Sequence, residues 1–411
     1  MGFRTRRRAT SPAPWQRGAV TGLELGSTAV RAVVVGNRAA TGAPIVQRAA
    51  SVPLPAGAMV GGVVREPPAV TAALRRLGAQ HGLRGNRVVL GIGTPLLVVR
   101  PLTLPAMPPE ELRRALPFQA RDVLPFPVAD AVLDFSPLPR PGSAPSSGPV
   151  DGLLTAAPRT AVLAAVQAVQ AAGFTIDRVD LSPFGVLRST GSAGPVVEAL
   201  IDIGAELTTI VIHRHGIPHV VRVIAFGGRR LTDRLADALG VAAAEAELAK
   251  RSVGVVGDSM PALQLRDELR PLLAELRASL RYFVSTVGST VQRALLTGGS
   301  AGLPGLAGLL TDELDLRVEV ASSLRHLAGG GYGGGRVRDW AGDEVGGSAG
   351  DGPGGMAASA VAVGLALGMP RSTTAAGAAP STVTAGVTAG ASSGSGTRSN
   401  SGVAGEAGTA A

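Results

Sequence analysis

One short pattern occurs once in each half of this chain, and it constrains the fold more than any other feature of the sequence. The first copy is Gly22-Leu-Glu-Leu-Gly-Ser-Thr28, and the second is Leu200-Ile-Asp-Ile-Gly204, followed by Thr208 and Thr209. In both copies an apolar strand ends in an acidic residue, a glycine turn follows, and a hydroxyl side chain precedes a second apolar strand. Glycines let backbone N–H groups approach phosphate oxygens, and the acids suit a metal ion that bridges phosphates. The repeat therefore predicts two phosphate-binding hairpins that grip one ligand from opposite halves.

Two further motifs lie in the second half of the chain. Arg293–Thr297 is predicted to be a strand that enters the turn Gly298-Gly299-Ser300 and then a helix, a corner able to hold an adenosine against its backbone. Glu247 and Lys250 lie three residues apart on one face of a predicted helix, where they can hydrogen-bond a ribose or a base edge. A solvated helix face would explain that spacing equally well.

The use of basic residues excludes two classes of nucleotide-binding enzyme. Lys250 is the only lysine in the chain, and it follows Ala249, whereas a P-loop needs Gly-Lys-Ser/Thr. A Walker-type ATPase is therefore excluded, and so is protein-kinase chemistry with its strand lysine. The absence of cysteine also excludes thiolate metal sites and cysteine nucleophiles.

The net charge of +9 does not point to nucleic acid as a partner. Much of the charge comes from the arginine-rich residues 1–18, and no basic stripe carries interleaved aromatic residues. The longest uncharged apolar stretch, near residues 356–369, is shorter than the roughly 20 residues that cross a bilayer. We expect a cytoplasmic protein that reaches a membrane only indirectly.

These motifs, in this order, resemble the actin-like ATPase superfamily, and within it the type IV pilus assembly protein PilM family, which is similar to FtsA. The phrase Leu124-Pro-Phe-Pro127, after a helix that starts with proline, separates this family from other actin-like proteins. The other matching phrases are Gly22-Leu-Glu-Leu-Gly-Ser, Leu104-Pro-Ala-Met-Pro-Pro-Glu-Glu-Leu, Val128-Ala-Asp-Ala-Val-Leu-Asp-Phe, Ala171-Ala-Gly-Phe, Val179-Asp-Leu-Ser-Pro-Phe, Ile201-Asp-Ile-Gly-Ala and Phe226-Gly-Gly-Arg-Arg-Leu-Thr.

The resemblance implies a two-lobed α/β fold of the actin-like, or ribonuclease H-like, type with an inserted small subdomain as in FtsA and PilM. It divides the chain into a basic arm (1–18), lobe 1 (19–93 and 159–195), the inserted subdomain (94–158), lobe 2 (196–328), a glycine-rich insert (329–355), a closing helix (356–369) and an Ala/Gly/Ser/Thr tail (370–411). The arm, the glycine-rich insert and the tail are expected to be disordered, because their composition cannot bury enough apolar surface.

The resemblance also implies a site for ATP and Mg²⁺, in which Glu24 and Asp202 face the metal. The nucleotide would contact Gly26, Ser27, Thr28, Arg31, Asp202, Gly204, Thr208, Thr209, Glu247, Lys250, Gly298, Gly299 and Ser300. Two residues depart from the superfamily pattern, since Glu24 replaces the usual aspartate and Arg31 a lysine. Residues 179–189 contain no glutamine to orient an attacking water, so we expect at most weak ATPase activity.

The resemblance further implies a partner, a PilN-like bitopic membrane protein whose N-terminal cytoplasmic peptide docks beside the inserted subdomain. Apolar pockets near Leu102, Leu104, Leu124 and Phe126 are predicted to receive the peptide, although core packing would explain these four residues as well. The chain would then be a scaffold of the pilus assembly machinery, held at the inner face of the plasma membrane through its partners. The resemblance also allows self-association.

Two alternatives share the actin-like core. A sugar or acid kinase would need a general base near the acceptor hydroxyl, for which Asp177 and Asp180 are candidates. An FtsA-like cell-division adaptor would need an amphipathic C-terminal helix with bulky apolar residues, and the tail after Pro370 contains none.

Overall fold

The computed structural model of the protein describes residues 19–37, 44–83, 85–138, 148–321 and 359–368. The predicted basic arm, glycine-rich insert and C-terminal tail lie outside these residues. Within the described ranges, no helix has both the length and the apolar character needed to cross a membrane.

Lobe 1 begins with an antiparallel meander of three strands. Its elements up to the inserted subdomain are β1 (Val20–Leu25), β2 (Ala29–Asn37), β3 (Pro44–Pro53), β4 (Met59–Val60), β5 (Val63–Val64), α1 (Pro67–Gln80) and β6 (Arg87–Ile92). Strand β2 reads Ala-Val-Arg-Ala-Val-Val-Val, and most of these residues are buried. Such a nearly continuous run of small and β-branched residues is typical of a strand that is covered on both faces.

In its described residues, the inserted subdomain is a small sheet with one α-helix and a short 3-10 helix, Val128–Asp130. It contains β7 (Val98–Leu104), α2 (Pro109–Ala120), β8 (Ala131–Pro137) and β9 (Val150–Pro158), and its three strands are ordered β7-β9-β8. Helix α2 starts at a proline and carries Glu110 and Glu111 in its first turn, where acidic residues favour the helix dipole.

The chain then returns to lobe 1 and continues into lobe 2. Lobe 1 is completed by α3 (Arg159–Ala171), β10 (Thr175–Leu181) and α4 (Ser182–Thr190). Lobe 2 contains β11 (Val197–Ile203), β12 (Thr208–Arg214), β13 (Ile217–Ile224), α5 (Gly228–Leu239), α6 (Ala243–Val253), α7 (Met260–Val287), β14 (Arg293–Thr297), α8 (Leu306–Leu314) and β15 (Val318–Val320). The last described helix is α9 (Ala360–Ala366).

The two large sheets have the same topology. Their strand orders are β3-β2-β1-β6-β10 in lobe 1 and β13-β12-β11-β14-β15 in lobe 2. In each sheet the first strand pairs antiparallel with the next strand of the chain and parallel with a later one. The β1–β2 and β11–β12 hairpins, which carry the sequence repeat, therefore occupy equivalent positions in the two lobes.

Helices α4 and α9 bring the two sheets together. Helix α4 contacts β6 and β10 of lobe 1 and also β11, β12 and β13 of lobe 2, while α9 packs on α4 and on β1, β2 and β6. One hydrophobic core runs across both lobes as a result, since Leu23 and Leu90 of the first sheet share it with Leu200 and Val211 of the second. The opposite face of the second sheet has a separate core, with α5 to α8.

Three glycines permit this close packing. A Cβ added at Gly364 in α9 would overlap the carbonyl oxygen of Gly185 in α4, and a Cβ added at Gly22 in β1 would overlap the carbonyl oxygen of Ala362 in α9. Backbone therefore lies directly on backbone where α9 crosses α4 and β1. No larger residue fits these positions without moving the helices that set the distance between the lobes.

We expect Gly364→Ala to lower the free energy of unfolding by about 2 kcal/mol or more, because the new methyl group must push α9 away from Gly185. The matched control is Gly308→Ala in α8, where an added Cβ meets nothing within 4 Å. That change is expected to stabilise the protein by up to about 1 kcal/mol through helix propensity. Denaturant unfolding measures both values, and equal stability of the two variants would contradict the tight crossing.

Candidate functional site

The first glycine hairpin places an acidic and a positively charged side chain next to each other. Glu24 and Arg31 are direct cross-strand partners on β1 and β2, and Arg31 Nη1 lies 3.4 Å from Glu24 Oε1. Between them the Gly26 N–H donates to Ala29 O at 3.0 Å, which closes the turn through Ser27 and Thr28. A Cβ added at Gly26 would stand 2.8 Å from Arg31 Nη1. The guanidinium group therefore lies over the glycine, at the mouth of the hairpin.

The pKa of Glu24 lies above the usual range of a carboxyl group. Burial raises its pKa to about 7; Arg31 opposes this shift, and the negative charge of Asp202 adds to it. Its Oε2 atom is buried and has no hydrogen-bond partner. A buried carboxylate oxygen that lacks a partner is suited to a ligand or a metal ion.

The second hairpin belongs to lobe 2 and is held by backbone contacts. The Gly204 N–H donates to Leu207 O at 2.9 Å, and Gly204 O accepts from the Gly228 N–H at 2.9 Å. Thr209 is the cross-strand partner of Asp202. Thr208 Oγ1 donates to Phe226 O at 2.8 Å. The first turn of α5 therefore supports this hairpin from behind.

Asp202 of lobe 2 lies close enough to the first hairpin for its charge to act on Glu24. Its Oδ1 accepts a hydrogen bond from Thr297 Oγ1 at 2.7 Å. Burial raises the pKa of Asp202, while the Thr297 hydrogen bond and the charge of Arg31 oppose that shift. Because Arg31 of lobe 1 acts on the acids of both lobes, Glu24, Arg31 and Asp202 form one electrostatic cluster.

The glycine corner after β14 lies against the second hairpin. Gly298 has φ +91°, and a Cβ there would overlap the backbone of Ile203. The Ser300 N–H donates to Ile203 O at 3.1 Å. Gly299 is exposed, with nothing within 4 Å of an added Cβ. This turn therefore presents open backbone beside the second hairpin, and its contact with an adenosine stays a prediction.

Lys250 is buried behind that corner and is fully hydrogen-bonded. Its Nζ lies 3.0 Å from Gly228 O, 2.7 Å from Thr232 Oγ1 and 2.5 Å from Glu247 Oε2. Glu247 also accepts from Arg251 Nε at 2.7 Å. Burial lowers the pKa of Lys250, and Glu247 opposes this shift. Lys250 ties α6 to the first turn of α5, and its contact with a ribose or base stays a prediction.

The structure adds three residues to the set predicted for the site. Thr297 orients Asp202, while Gly228 and Thr232 receive the Lys250 ammonium group. Thr297 could have been found from its place, since it is the last residue before Gly298 on the strand next to β11. Thr232 ends the matching phrase that starts at Phe226, but its contact with Lys250 depends on how α5 packs against α6.

The four residues predicted for peptide docking differ in exposure. Leu104 is only 1% exposed and belongs to the core of the inserted subdomain, whereas Leu102 and Leu124 are partly buried against that core. Phe126 is also partly exposed. Leu104 can therefore support a pocket only from within the core, whereas the side chains of the other three are partly exposed and can contact a ligand.

The two candidate bases of a kinase already have partners. Asp177 Oδ1 accepts from Arg87 Nε at 2.9 Å. Asp180 Oδ2 accepts from Arg188 Nη2 at 2.6 Å, and its Oδ1 accepts from the Leu181 N–H at 2.8 Å. These contacts assign the two carboxylates to ion pairs of lobe 1, so the geometry does not favour a kinase.

Comparison with known proteins identifies the family. A family model described as type IV pilus assembly protein PilM matches residues 22–331. A solved structure of a PilM–PilN type IV pilus biogenesis complex aligns with a TM-score of 0.68 and 29% identity, over 85% of this chain and 97% of the matched chain. The cell division protein FtsA of Bacillus subtilis (strain 168) is 28% identical over 201 residues, which are 42% of this chain and 45% of FtsA.

These findings confirm the actin-like two-lobed fold and the predicted similarity to FtsA. The aligned region spans less than half of that FtsA protein, whereas the match to the PilM–PilN structure covers nearly all of the solved chain. The kinase alternative gains no support from them. Since the family model matches most of the residues of this chain, the chain belongs to the type IV pilus assembly protein PilM family.

Proposed function

We propose that this protein is a scaffold of type IV pilus assembly that binds ATP with Mg²⁺ between its lobes and docks a PilN-like membrane protein. The observation that carries the nucleotide part is the electrostatic cluster of Glu24, Arg31 and Asp202, which joins two equivalent hairpins from opposite lobes. The partner part rests on family membership and on the similarity to a chain from a PilM–PilN complex.

The residues present suit a nucleotide with a metal ion. Gly26 and Gly204 shape the two turns that would surround the phosphates, and Arg31 would supply positive charge to their oxygens. Mg²⁺ usually binds through one or two carboxylates, phosphate oxygens and water. Glu24, with its unpartnered Oε2, and Asp202 would serve as those carboxylates. When bound, the ion would neutralise phosphate charge between the lobes.

We expect the proposed site to bind ATP but to hydrolyse it slowly. Helix α4 begins with Ser182, Pro183 and Phe184 at the end of β10, and no glutamine stands in residues 179–189 to position a water. Nucleotide hydrolysis depends on such positioning. ATP would then act mainly by locking the lobes together, with at most weak hydrolysis.

The proposed location follows from the partner. A PilN-like bitopic protein would present its N-terminal cytoplasmic peptide to the groove beside the inserted subdomain, near Leu102, Leu124 and Phe126. The scaffold would then sit in the cytoplasm, at the inner face of the plasma membrane, without inserting into it. Extended peptides bind such grooves through apolar pockets and backbone hydrogen bonds.

We expect Asp202→Ala to weaken ATP·Mg²⁺ binding at least about tenfold, a loss of about 1.4 kcal/mol, because one of the two proposed carboxylates disappears. Asp202→Asn should weaken binding similarly while it keeps an oxygen for the Thr297 hydrogen bond. Calorimetry measures the affinity, and Asp312→Ala on the exposed side of α8 serves as the control. Wild-type affinity in both Asp202 variants would contradict the site.

We expect Phe126→Ala to weaken binding of the PilN-like N-terminal peptide about fivefold or more, because a partly exposed apolar contact is lost. Leu104→Ala should instead lower stability by about 2–5 kcal/mol through a cavity in the subdomain core. Fluorescence anisotropy with a labelled peptide and thermal unfolding separate the two effects. Val256→Ala on lobe 2 is the matched control, and full affinity in Phe126→Ala, Leu102→Ala and Leu124→Ala would place docking elsewhere.

A further inference from the structure

The small β4–β5 hairpin of lobe 1 touches the second phosphate hairpin of lobe 2. The Gly61 N–H donates to Glu206 Oε2 at 3.0 Å. Glu206 lies in the turn between β11 and β12, and its side chain is 17% exposed. This hydrogen bond therefore crosses between the lobes at the turn that the proposed function assigns to phosphate.

The tip of the β4–β5 hairpin has one fixed conformation. Gly61 and Gly62 have φ values of +56° and +78°, as in the two-residue turn of a type I′ hairpin. A Cβ added at Gly62 would overlap the carbonyl oxygen of Gly93 and stand 3.2 Å from Leu207 Cδ1. The tip packs between Gly93 of lobe 1 and Leu207 of lobe 2. The direction of the Gly61 N–H bond is therefore set before any ligand binds.

Glu206 is held from both sides. Its Oε2 receives the Gly61 N–H, and its Oε1 lies 3.9 Å from Arg229 Nε at the start of α5. The backbone N–H of Arg229 donates to Ala205 O at 2.8 Å. Beside Glu206, Leu207 packs against the core that the two lobes share, with its Cδ1 atom next to Gly62 of lobe 1. Glu206 supplies a charged hydrogen-bond acceptor and the adjacent Leu207 an apolar contact. Together they hold the turn between β11 and β12 against lobe 1.

We propose that Glu206 is a latch that holds the cleft closed on its phosphate side and slows the passage of nucleotide; the part about nucleotide rests on the proposed ATP site. Helix α4 joins the two sheets elsewhere, so the contacts of Glu206 and Leu207 limit opening at the turn itself. A hydrogen bond to a charged group is stronger than one between neutral groups. Glu206 is a positioning residue in this role, since it acts on the turn.

The first test uses nucleotide-free protein. Amide hydrogen exchange over residues 58–65 should be about tenfold faster in Glu206→Ala than in the wild type, because the acceptor of the Gly61 N–H is gone. Gly61→Asn is the matched control: it keeps the backbone donor, favours the type I′ turn and has free space for its side chain. Glu245→Ala on α6 controls for loss of an exposed acid. If the Gly61 amide exchanged as slowly in Glu206→Ala as in the wild type, the latch proposal would be wrong.

The second test measures nucleotide kinetics by stopped flow with a fluorescent ATP analogue. In Glu206→Ala both association and dissociation should accelerate about fivefold to tenfold, because opening of the cleft precedes both steps. A residue that merely contacted the nucleotide would raise dissociation alone, and that result would overturn the gating role. If the wild type bound no nucleotide, the ATP proposal would fail, whereas exchange at Gly61 would still decide whether the latch exists.

Discussion

The contact of backbone with backbone at Gly22, Gly185 and Gly364 sets the geometry on which the rest of the structure depends. Because α9 lies directly on α4 and β1 at these points, the two sheets approach closely enough to share one hydrophobic core. Glu24 and Asp202 stand at the ends of equivalent strands of the two sheets. Helix α4, which contacts strands of both sheets, therefore links the two sheets that carry these carboxylates.

The nearness of these two carboxylates is electrostatically unfavourable. The negative charge of Asp202 raises the pKa of Glu24, and the positive charge of Arg31 opposes the upward shift at both acids. The usual aspartate would be one methylene shorter than Glu24. The longer side chain pairs with Arg31 and still leaves Oε2 without a partner. Packing energy from the shared core offsets the cost of burying these acids close together.

Much of the fold could be predicted from the sequence because its signals are local. The acid–glycine–hydroxyl repeat gave both hairpins, and Arg293–Thr297 was predicted with its observed bounds. The site was harder, because Lys250 contacts Gly228 and Thr232 on α5, a separate helix whose packing on α6 is not a local signal. The spacing of these two residues fitted either a ribose contact or a solvated face. Only the packing of α6 on α5 shows that Lys250 is buried.

The buried lysine also explains an oddity of composition. Three oxygens, from Gly228, Thr232 and Glu247, converge on the single nitrogen at Lys250 Nζ. A guanidinium group is flat and spreads its donors over three nitrogens, so it cannot satisfy acceptors that meet at one point. In a chain where arginine fills every other basic position, residue 250 is the place where shape, and not charge alone, determines which cation is tolerated.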